Sequence, residues 1–356
     1  MSTNAAHKLK QSLRIAVVGA TGNVGRTMLT ILDERGFALS QVRAVASSRS
    51  QGLEVSFGEQ GTLKVEDLTT FDFSKVDLAL FSPGGAVSAI YAPKAIEQGC
   101  VVIDNTSHFR MNPDVPLVIP EVNGHILQET KSRLIANPNC STIQLVMALK
   151  PLHDLAPITR VVCSTYQSVS GAGKEGMDEL FTQTRGSFVN DAAEAIKFTK
   201  PIAFNVIPHI DQFLESGATK EEWKMAEETK KILDSSIALI ATCVRVPVFI
   251  GHAVAATIEF ASPLKLADAR RALRNFPGVS LVDDPETSTY VTPIECQDED
   301  TVFISRLRVD PTVAHGLCLW VVADNVRKGA ALNAIQIAEA LLKCGYFTTN
   351  RAKISN

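Results

Sequence analysis

The sequence predicts an α/β protein built as two domains, and three observations predict it. A short β-branched run at residues 13–18 leads directly into the glycine turn Gly19-Ala20-Thr21-Gly22-Asn23-Val24-Gly25, and residues 26–34 then carry Met28, Leu29 and Leu32 at helical spacing. Further apolar runs at residues 42–46, 78–81, 101–103 and 134–136 are separated by turns or helical stretches, the pattern of a parallel sheet covered on both faces. Beyond residue 140 the strands lengthen and several alternate, and 356 residues are too many for one ordinary core.

The first of these elements, strand then glycine turn then helix, is the opening of a dinucleotide-binding βαβ unit. In the second half, residues 161–167, 238–246, 253–260, 301–309 and 318–322 read as strands, with a charged helical stretch at 220–235 between the first two. This half is expected to be an α+β domain whose sheet has one covered face. A last helix at 329–343, rich in Ala, Ile and Leu, is expected to pack back on the first domain. The softest connections are expected at 184–191 and 283–289.

Bulk composition narrows the partners. An apolar fraction of 46% with 21% charged residues is that of a soluble globular chain, and a net charge of -3 gives no long-range pull toward nucleic acid or an anionic membrane. No apolar run approaches the roughly 20 residues that span a bilayer. Residues 1–12 are polar and read as a loose tail rather than a signal peptide, which suits a cytoplasmic protein. The seven cysteines are odd in number and contain no C-x-x-C pair, so neither a disulfide framework nor a metal site is expected.

The glycine spacing is G-x-x-G-x-x-G, weak alone but strengthened by its place after the first strand. Small residues let the backbone approach a pyrophosphate held by amides at a helix start. Gly19, Thr21, Gly22, Asn23, Val24 and Gly25 are therefore candidate cofactor residues. An NAD site would place Asp or Glu near the end of the second strand. Here that strand runs into Ser47-Ser48-Arg49-Ser50, so Ser47, Arg49 and Ser50 favour a 2′-phosphate and hence NADP. A solvated loop arginine is the plain alternative.

Asn137-Pro138-Asn139-Cys140-Ser141-Thr142 follows a strand and precedes a helical run at 143–149. A cysteine at a helix start gains thiolate character, and nearby amides can hold an oxyanion. Cys100, Cys163, Cys243, Cys318 and Cys344 are expected to be small core residues, and Cys296 sits in a polar loop with no assigned role. For Cys140 the alternative is a buried helix-start thiol.

With these residues placed, the chain resembles the aspartate-semialdehyde dehydrogenase family from end to end. The matching segments are Gly19 to Gly25, Ser107-His108-Phe109-Arg110, Asn137 to Thr142, Tyr166-Gln167-Ser168-Val169-Ser170-Gly171-Ala172-Gly173, Glu221-Glu222-Trp223-Lys224, Arg245-Val246-Pro247-Val248 with Gly251-His252, and Asp324-Asn325-Val326-Arg327-Lys328-Gly329. His108 departs from the commonest pattern, where a small residue stands. The resemblance implies a glyceraldehyde-3-phosphate-dehydrogenase-like fold. Its Rossmann-type NADP-binding domain would span 1–139 and 326–356, with a catalytic and dimerisation domain at 140–325.

The activity so implied is reversible: L-aspartyl-4-phosphate is reduced with NADPH to L-aspartate-4-semialdehyde and inorganic phosphate through a Cys140 thioester. It serves biosynthesis of lysine, threonine, methionine and diaminopimelate. His252 would be the acid/base, although a lone histidine beside glycine is more often structural, and Gln167 would orient the substrate with Asn139 assisting. Arg245 would hold the α-carboxylate, Glu221 the amino group, and Lys224 with Arg110 the phosphate; without the resemblance, Glu221 and Lys224 read as a solvated helix salt bridge. Ser170, Gly171 and Asn325 would line the nicotinamide end. Family members are homodimers or tetramers, with the second sheet as the expected contact.

Three enzyme classes and one non-enzyme compete with this reading. N-acetyl-γ-glutamyl-phosphate reductase shares the chemistry but needs no partner for a free amine. Glyceraldehyde-3-phosphate dehydrogenase prefers NAD and embeds its nucleophile differently. A thiol hydrolase needs no dinucleotide fold, and an NADP-binding sensor would use Cys140 as a redox switch.

Overall fold

The computed structural model describes residues 12–189 and 194–347, so the expected tail lies outside the described residues except for Ser12. The chain divides into two compact units, Met1–Pro138 with Ala330–Asn356, and Asn139–Gly329.

In the first unit the strands are β1 (Ile15–Val18), β2 (Val42–Ala46), β3 (Glu54–Ser56), β4 (Thr62–Lys64), β5 (Glu66–Asp67), β6 (Leu78–Phe81), β7 (Val101–Asp104) and β8 (Leu134–Ala136). All but β3 and β4, which pair as an antiparallel ribbon, form one parallel sheet of order β5-β2-β1-β6-β7-β8. Consecutive β1 and β2 lie side by side while β6 takes the other flank of β1. The order therefore reverses at β1, the kind of switch point at which open α/β sheets bind ligands beyond their carboxyl ends.

Helices α1 (Asn23–Glu34), α2 (Gly85–Glu97) and α3 (Pro120–Asn123) belong to this unit, as does the last helix of the chain, Leu332–Lys343. That last helix buries Leu332, Ile335, Ile337, Leu341 and Leu342 in the same core as Leu29, Leu32, Leu80 and Ile103. At about 1.5–3 kcal/mol for each large side chain, five of them account for the return of the C-terminal segment.

The second unit holds a six-stranded sheet of order β10-β9-β11-β14-β13-β12. Its strands are β9 (Ile158–Gln167), β10 (Ala238–Arg245), β11 (His252–Phe260), β12 (Val279–Leu281), β13 (Val302–Val309) and β14 (Gly316–Ala323). The sheet is mixed: β9 with β10 and β12 with β13 are parallel, the rest antiparallel. Its helices are α4 (Cys140–His153), α5 (Lys174–Phe188), α6 (Lys220–Ile232) and α7 (Leu266–Asn275), so Leu332–Lys343 becomes α8. Helix α4 packs on β9, β11, β13 and β14 and is flanked by α6 and α7. Every residue from Ser141 to Leu149 is buried. No described helix is long and apolar enough to cross a membrane.

Several sequence expectations need correction. Residues 184–188 are not a soft connection but the last part of α5. Gly186 is buried in the helix, and Gln183 Oε1 ties it down by accepting the amides of Ile202 (2.7 Å) and Ala203 (3.1 Å). Val189 is the C-cap of α5, and the rest of that expected connection, 190–191, falls outside the described residues. Cys344 is exposed rather than core and Cys318 is half-buried, whereas Cys296 is fully buried beside Ala253, Val291 and Val322.

Candidate active site

The glycine turn in the first unit is shaped by close approaches. Gly19 has φ +90°, and a Cβ there would lie 2.6 Å from Ser82 O; one on Gly25 would lie 2.2 Å from Gly19 O. Only glycine permits the turn to fold under α1. Gly22 is the N-cap of α1 and supplies no side-chain cap, so the start of that helix suits an anion. Thr21 O accepts from Arg26 Nε (3.1 Å), which fixes the outer wall of the turn where Asn23 and Val24 begin the helix.

Past β2, Ser47 caps a single 3-10 turn, Ser48–Ser50. Arg49 on this turn is exposed, with no hydrogen-bond or ionic partner among the described residues. The expectation that no acid stands near the end of β2 holds for the strand itself but not for its neighbour. Strand β5 sets Glu66 level with Val45 and Asp67 level with Ala46. Both are occupied: Glu66 takes Arg43 NH2 (2.6 Å), and Asp67 takes the Thr69 amide (3.0 Å) and hydroxyl (2.7 Å). Arg110 also belongs to this unit; its buried guanidinium donates to Asn137 O and Asn105 O, both at 2.8 Å.

In the second unit Cys140 is the first residue of α4 and is half-buried. Asn139 caps the helix, its Oδ1 accepting from Ser141 N (3.0 Å) and Thr142 N (3.2 Å). The Asn139 Nδ2 donates to Glu221 Oε1 (2.8 Å), and Gln167 Nε2 donates to the same oxygen (3.1 Å). Gln167 is held in turn by Thr165 Oγ1 at 3.0 Å. Glu221 Oε2 faces Lys224 Nζ (3.2 Å), whose second partner is Asp211 Oδ2 (2.6 Å).

Burial pushes the Glu221 carboxyl up, but Lys224 and the bonds from Asn139 and Gln167 outweigh it and hold the group below the usual carboxylate range. Lys224 is likewise pushed down by burial yet raised overall by Glu221 and Asp211. Both are charged at neutral pH.

Arg245, buried at the end of β10, donates NH1 to Ser168 O (2.7 Å) and lies within electrostatic reach of Glu221 and Cys140. His252 opens β11 and is fully buried. Its Nδ1 receives the Ser168 amide (3.1 Å), and because an amide can only donate, the neutral ring carries its proton on Nε2. That Nε2 has no partner among the described residues. Burial, and then the charge of Arg245, push the ring well below the ordinary histidine range.

Gly171 keeps this corner open, since a Cβ would come within 2.9 Å of Arg245 NH1 and 3.3 Å of His252 Nε2. Asn325 lies behind the histidine, its Oδ1 accepting from Ser168 Oγ (3.0 Å), Ser170 Oγ (3.2 Å) and Gly251 N (2.9 Å).

One unit thus carries a glycine turn that opens a helix without a side-chain cap, and the other a thiol at a helix start with a buried guanidinium, carboxylate and imidazole. Together they define the class of two-unit, cysteine-dependent dinucleotide dehydrogenases. Comparison agrees: residues 14–130 match the semialdehyde dehydrogenase NAD binding domain and residues 149–328 the semialdehyde dehydrogenase dimerisation domain.

Aspartate-semialdehyde dehydrogenase of Aquifex aeolicus is 50% identical over 93% of this chain and 98% of its own length. That of Legionella pneumophila is 51% identical over 94% and 96%. A crystal structure of aspartate semialdehyde dehydrogenase II from Vibrio cholerae, complexed with ASA, superposes with a TM-score of 0.90 at 48% identity, covering 93% of this chain and 98% of that one. The chain belongs to the aspartate-semialdehyde dehydrogenase family.

Sequence reasoning passed over Ser168, Asp211 and Glu228. Ser168 and Asp211 hold predicted residues through hydrogen bonds that no local pattern announces. Glu228 had a signal: it lies on the buried stripe Glu221, Met225, Glu228, Thr229, Ile232, where a carboxylate interrupts helical-period apolar positions.

Proposed function

We propose that this protein reduces L-aspartyl-4-phosphate with NADPH to L-aspartate-4-semialdehyde and phosphate, reversibly, through a thioester on Cys140. One observation carries the substrate: beside the helix-start thiol, a buried carboxylate (Glu221) and a buried guanidinium (Arg245) stand ready for an ammonium and a carboxylate. An amino acid with both groups free satisfies the two charges. An N-acetylated substrate brings no ammonium for Glu221, which would then keep its Lys224 contact but lose the charge-assisted bond the substrate would add.

The start of α1, to which Gly22 gives no side-chain cap, fits the pyrophosphate of a dinucleotide, and Arg49, exposed on its turn between Ser47 and Ser50, fits a 2′-phosphate. Ser170, Gly171 and Asn325 are the candidates for the nicotinamide end. Bound NADPH supplies the hydride that reduces the acyl carbon, and NADP takes it up in the reverse direction.

The chain's own residues do the rest. The Cys140 sulfur attacks the acyl carbon, and phosphate leaves. Arg245 and Glu221 fix the two ends of the amino-acid moiety, and Gln167 and Asn139 hold Glu221 in place. Lys224 in the second unit and Arg110 in the first are each a candidate partner for the phosphate. His252, protonated on Nε2, donates to the oxygen that becomes negative as the thiol adds and recovers the proton as the adduct collapses.

The reaction belongs to aspartate-derived amino-acid biosynthesis, in the cytoplasm. The second sheet is proposed to bind another copy of the chain. A depression of about 540 Å³ lined by Ser164, Thr257, Arg306, Arg308 and Trp320, with half-exposed Tyr166 packed on Trp320, supports that reading.

The test is phosphate-dependent NADPH formation from L-aspartate-4-semialdehyde, with N-acetyl-L-glutamate semialdehyde as control. Turnover of the control alone would overturn the substrate.

A further inference from the structure

Glu228 lies two helical turns after Glu221 on α6, and both carboxylates grip the same residue at different atoms. Glu221 Oε1 receives the Asn139 side chain at 2.8 Å, while Glu228 Oε2 receives the Asn139 backbone amide at 2.6 Å. Asn139 Oδ1 meanwhile caps α4. The backbone N–H and both side-chain polar atoms of the residue preceding the nucleophile are therefore all committed.

Glu228 is fully buried, amid Met225, Thr229 and Ile232 of its own helix stripe. Packing alone would be better served there by methionine or leucine, because replacing a buried ion with an apolar side chain of similar volume is commonly neutral or stabilising. Besides its attraction for Lys231, what the carboxylate provides and methionine cannot is an acceptor for the Asn139 amide. Without one, that N–H would be an unmet buried donor and the turn would be free to rotate.

We propose that Glu228 is a positioning residue: through the Asn139 amide it fixes the turn that carries the Cys140 sulfur. It does not touch substrate. Its effect passes through backbone geometry to the direction of attack. The proposal rests on Cys140 being the nucleophile.

The experiment compares Glu228→Gln, which keeps an acceptor oxygen, with Glu228→Met, which keeps length and loses it. Three quantities are read per mole of folded enzyme: kcat, KM for L-aspartate-4-semialdehyde, and the pH profile of Cys140 alkylation by iodoacetamide, located by peptide mass. Glu228→Met should lose roughly tenfold to a hundredfold in kcat, KM should move by less than about threefold, and the alkylation profile should shift. Glu228→Gln should stay within about threefold of wild type on all three counts, a rescue that loss of a negative charge could not give.

Wild-type behaviour of Glu228→Met, or equal impairment of both variants, would overturn the proposal. If Glu228→Met does not fold, hydrogen exchange in the wild-type enzyme decides: an Asn139 amide as protected as the α4 interior supports it, and one exchanging at a loop's rate refutes it. The nucleophile is tested separately, because turnover by Cys140→Ala would remove the thioester while leaving the alkylation and exchange readouts of the turn interpretable.

Discussion

Helices α1 and α4 start alike, each directly after a strand and a short turn, and their N-termini are used in opposite ways. Before α1 stands Gly22, which offers no side chain to cap the helix, and its start suits an anion from outside the protein. Before α4 stands Asn139, whose carboxamide oxygen takes two of that helix's first amides, and the first helical position is a thiol. A helix start concentrates roughly half a positive charge. At α1 the glycines hold that charge open to a diffusing phosphate; at α4 it is enclosed, and the group it favours is covalently part of the chain. A binding site and a reacting site can thus grow from one backbone device, and the residue one position earlier decides which.

If this division of labour is right, the two starts fail independently. Cys140→Ala should lower turnover by roughly 10⁴-fold or more while NADPH affinity, by fluorescence titration, stays within about threefold. Comparable loss of cofactor binding would show that the thiol helix also holds the dinucleotide.

Arg245→Lys comes next. Lysine keeps the charge but not the planar fork, so kcat/KM should fall roughly tenfold to a hundredfold. The Ser168 carbonyl would also lose its 2.7 Å donor. Kinetics like wild type would remove Arg245 from carboxylate binding.

On the other side, Arg49→Ala should cut the preference for NADPH over NADH about tenfold, the worth of one charge-assisted contact. Cys140 alkylation should not change. An unchanged coenzyme ratio would release Arg49 to the solvent.

The two starts also differ in how much of them could be read from the sequence. The glycine turn is local: three glycines within seven residues imply tight approaches, and the structure gives a Cβ at Gly25 only 2.2 Å of clearance from Gly19 O. The nucleophile's surroundings are not local. Residues 139, 167, 221, 245, 252 and 325 meet through the pairing of β9, β10, β11 and β14 and the packing of α4 and α6 on that sheet, which no spacing rule encodes, and only matched motifs brought them onto one list. Ser168, Asp211 and Glu228 stayed hidden because each acts through another residue's hydrogen bond. On the fold side the long alternating strands were legible, as was the fully apolar β8, whereas β3, β4 and β12, three residues each with polar members, carry too little pattern to register. The C-terminal limit of α5 was obscured because Gly186 and Ser187 resemble a turn when their burial is unknown.

The smallest effect concerns His252, and it is read in stability rather than rate. The buried ring stays neutral because desolvation, then Arg245, depress its pKa well below the ordinary value near 6.5. An unfolded chain takes up a proton below that value and the folded one refuses it. The stabilisation is therefore complete above about pH 6.5 and is lost as pH falls toward the depressed folded pKa, with a slope of at most about 1.4 kcal/mol per pH unit. Glu221, also depressed, adds its own loss only below the ordinary carboxylate range, and buried Asp104, raised by desolvation, titrates alike in both variants, so the difference between them from about pH 6.5 to 5 belongs to the histidine. Urea midpoints followed through that window should fall more steeply for the wild type than for His252→Gln, whose amide oxygen can still accept from Ser168 N but binds no proton. Parallel curves would mean that the ring is charged or hydrated in the folded protein, and the Nε2–H donor at the reacting centre would have to be abandoned with it.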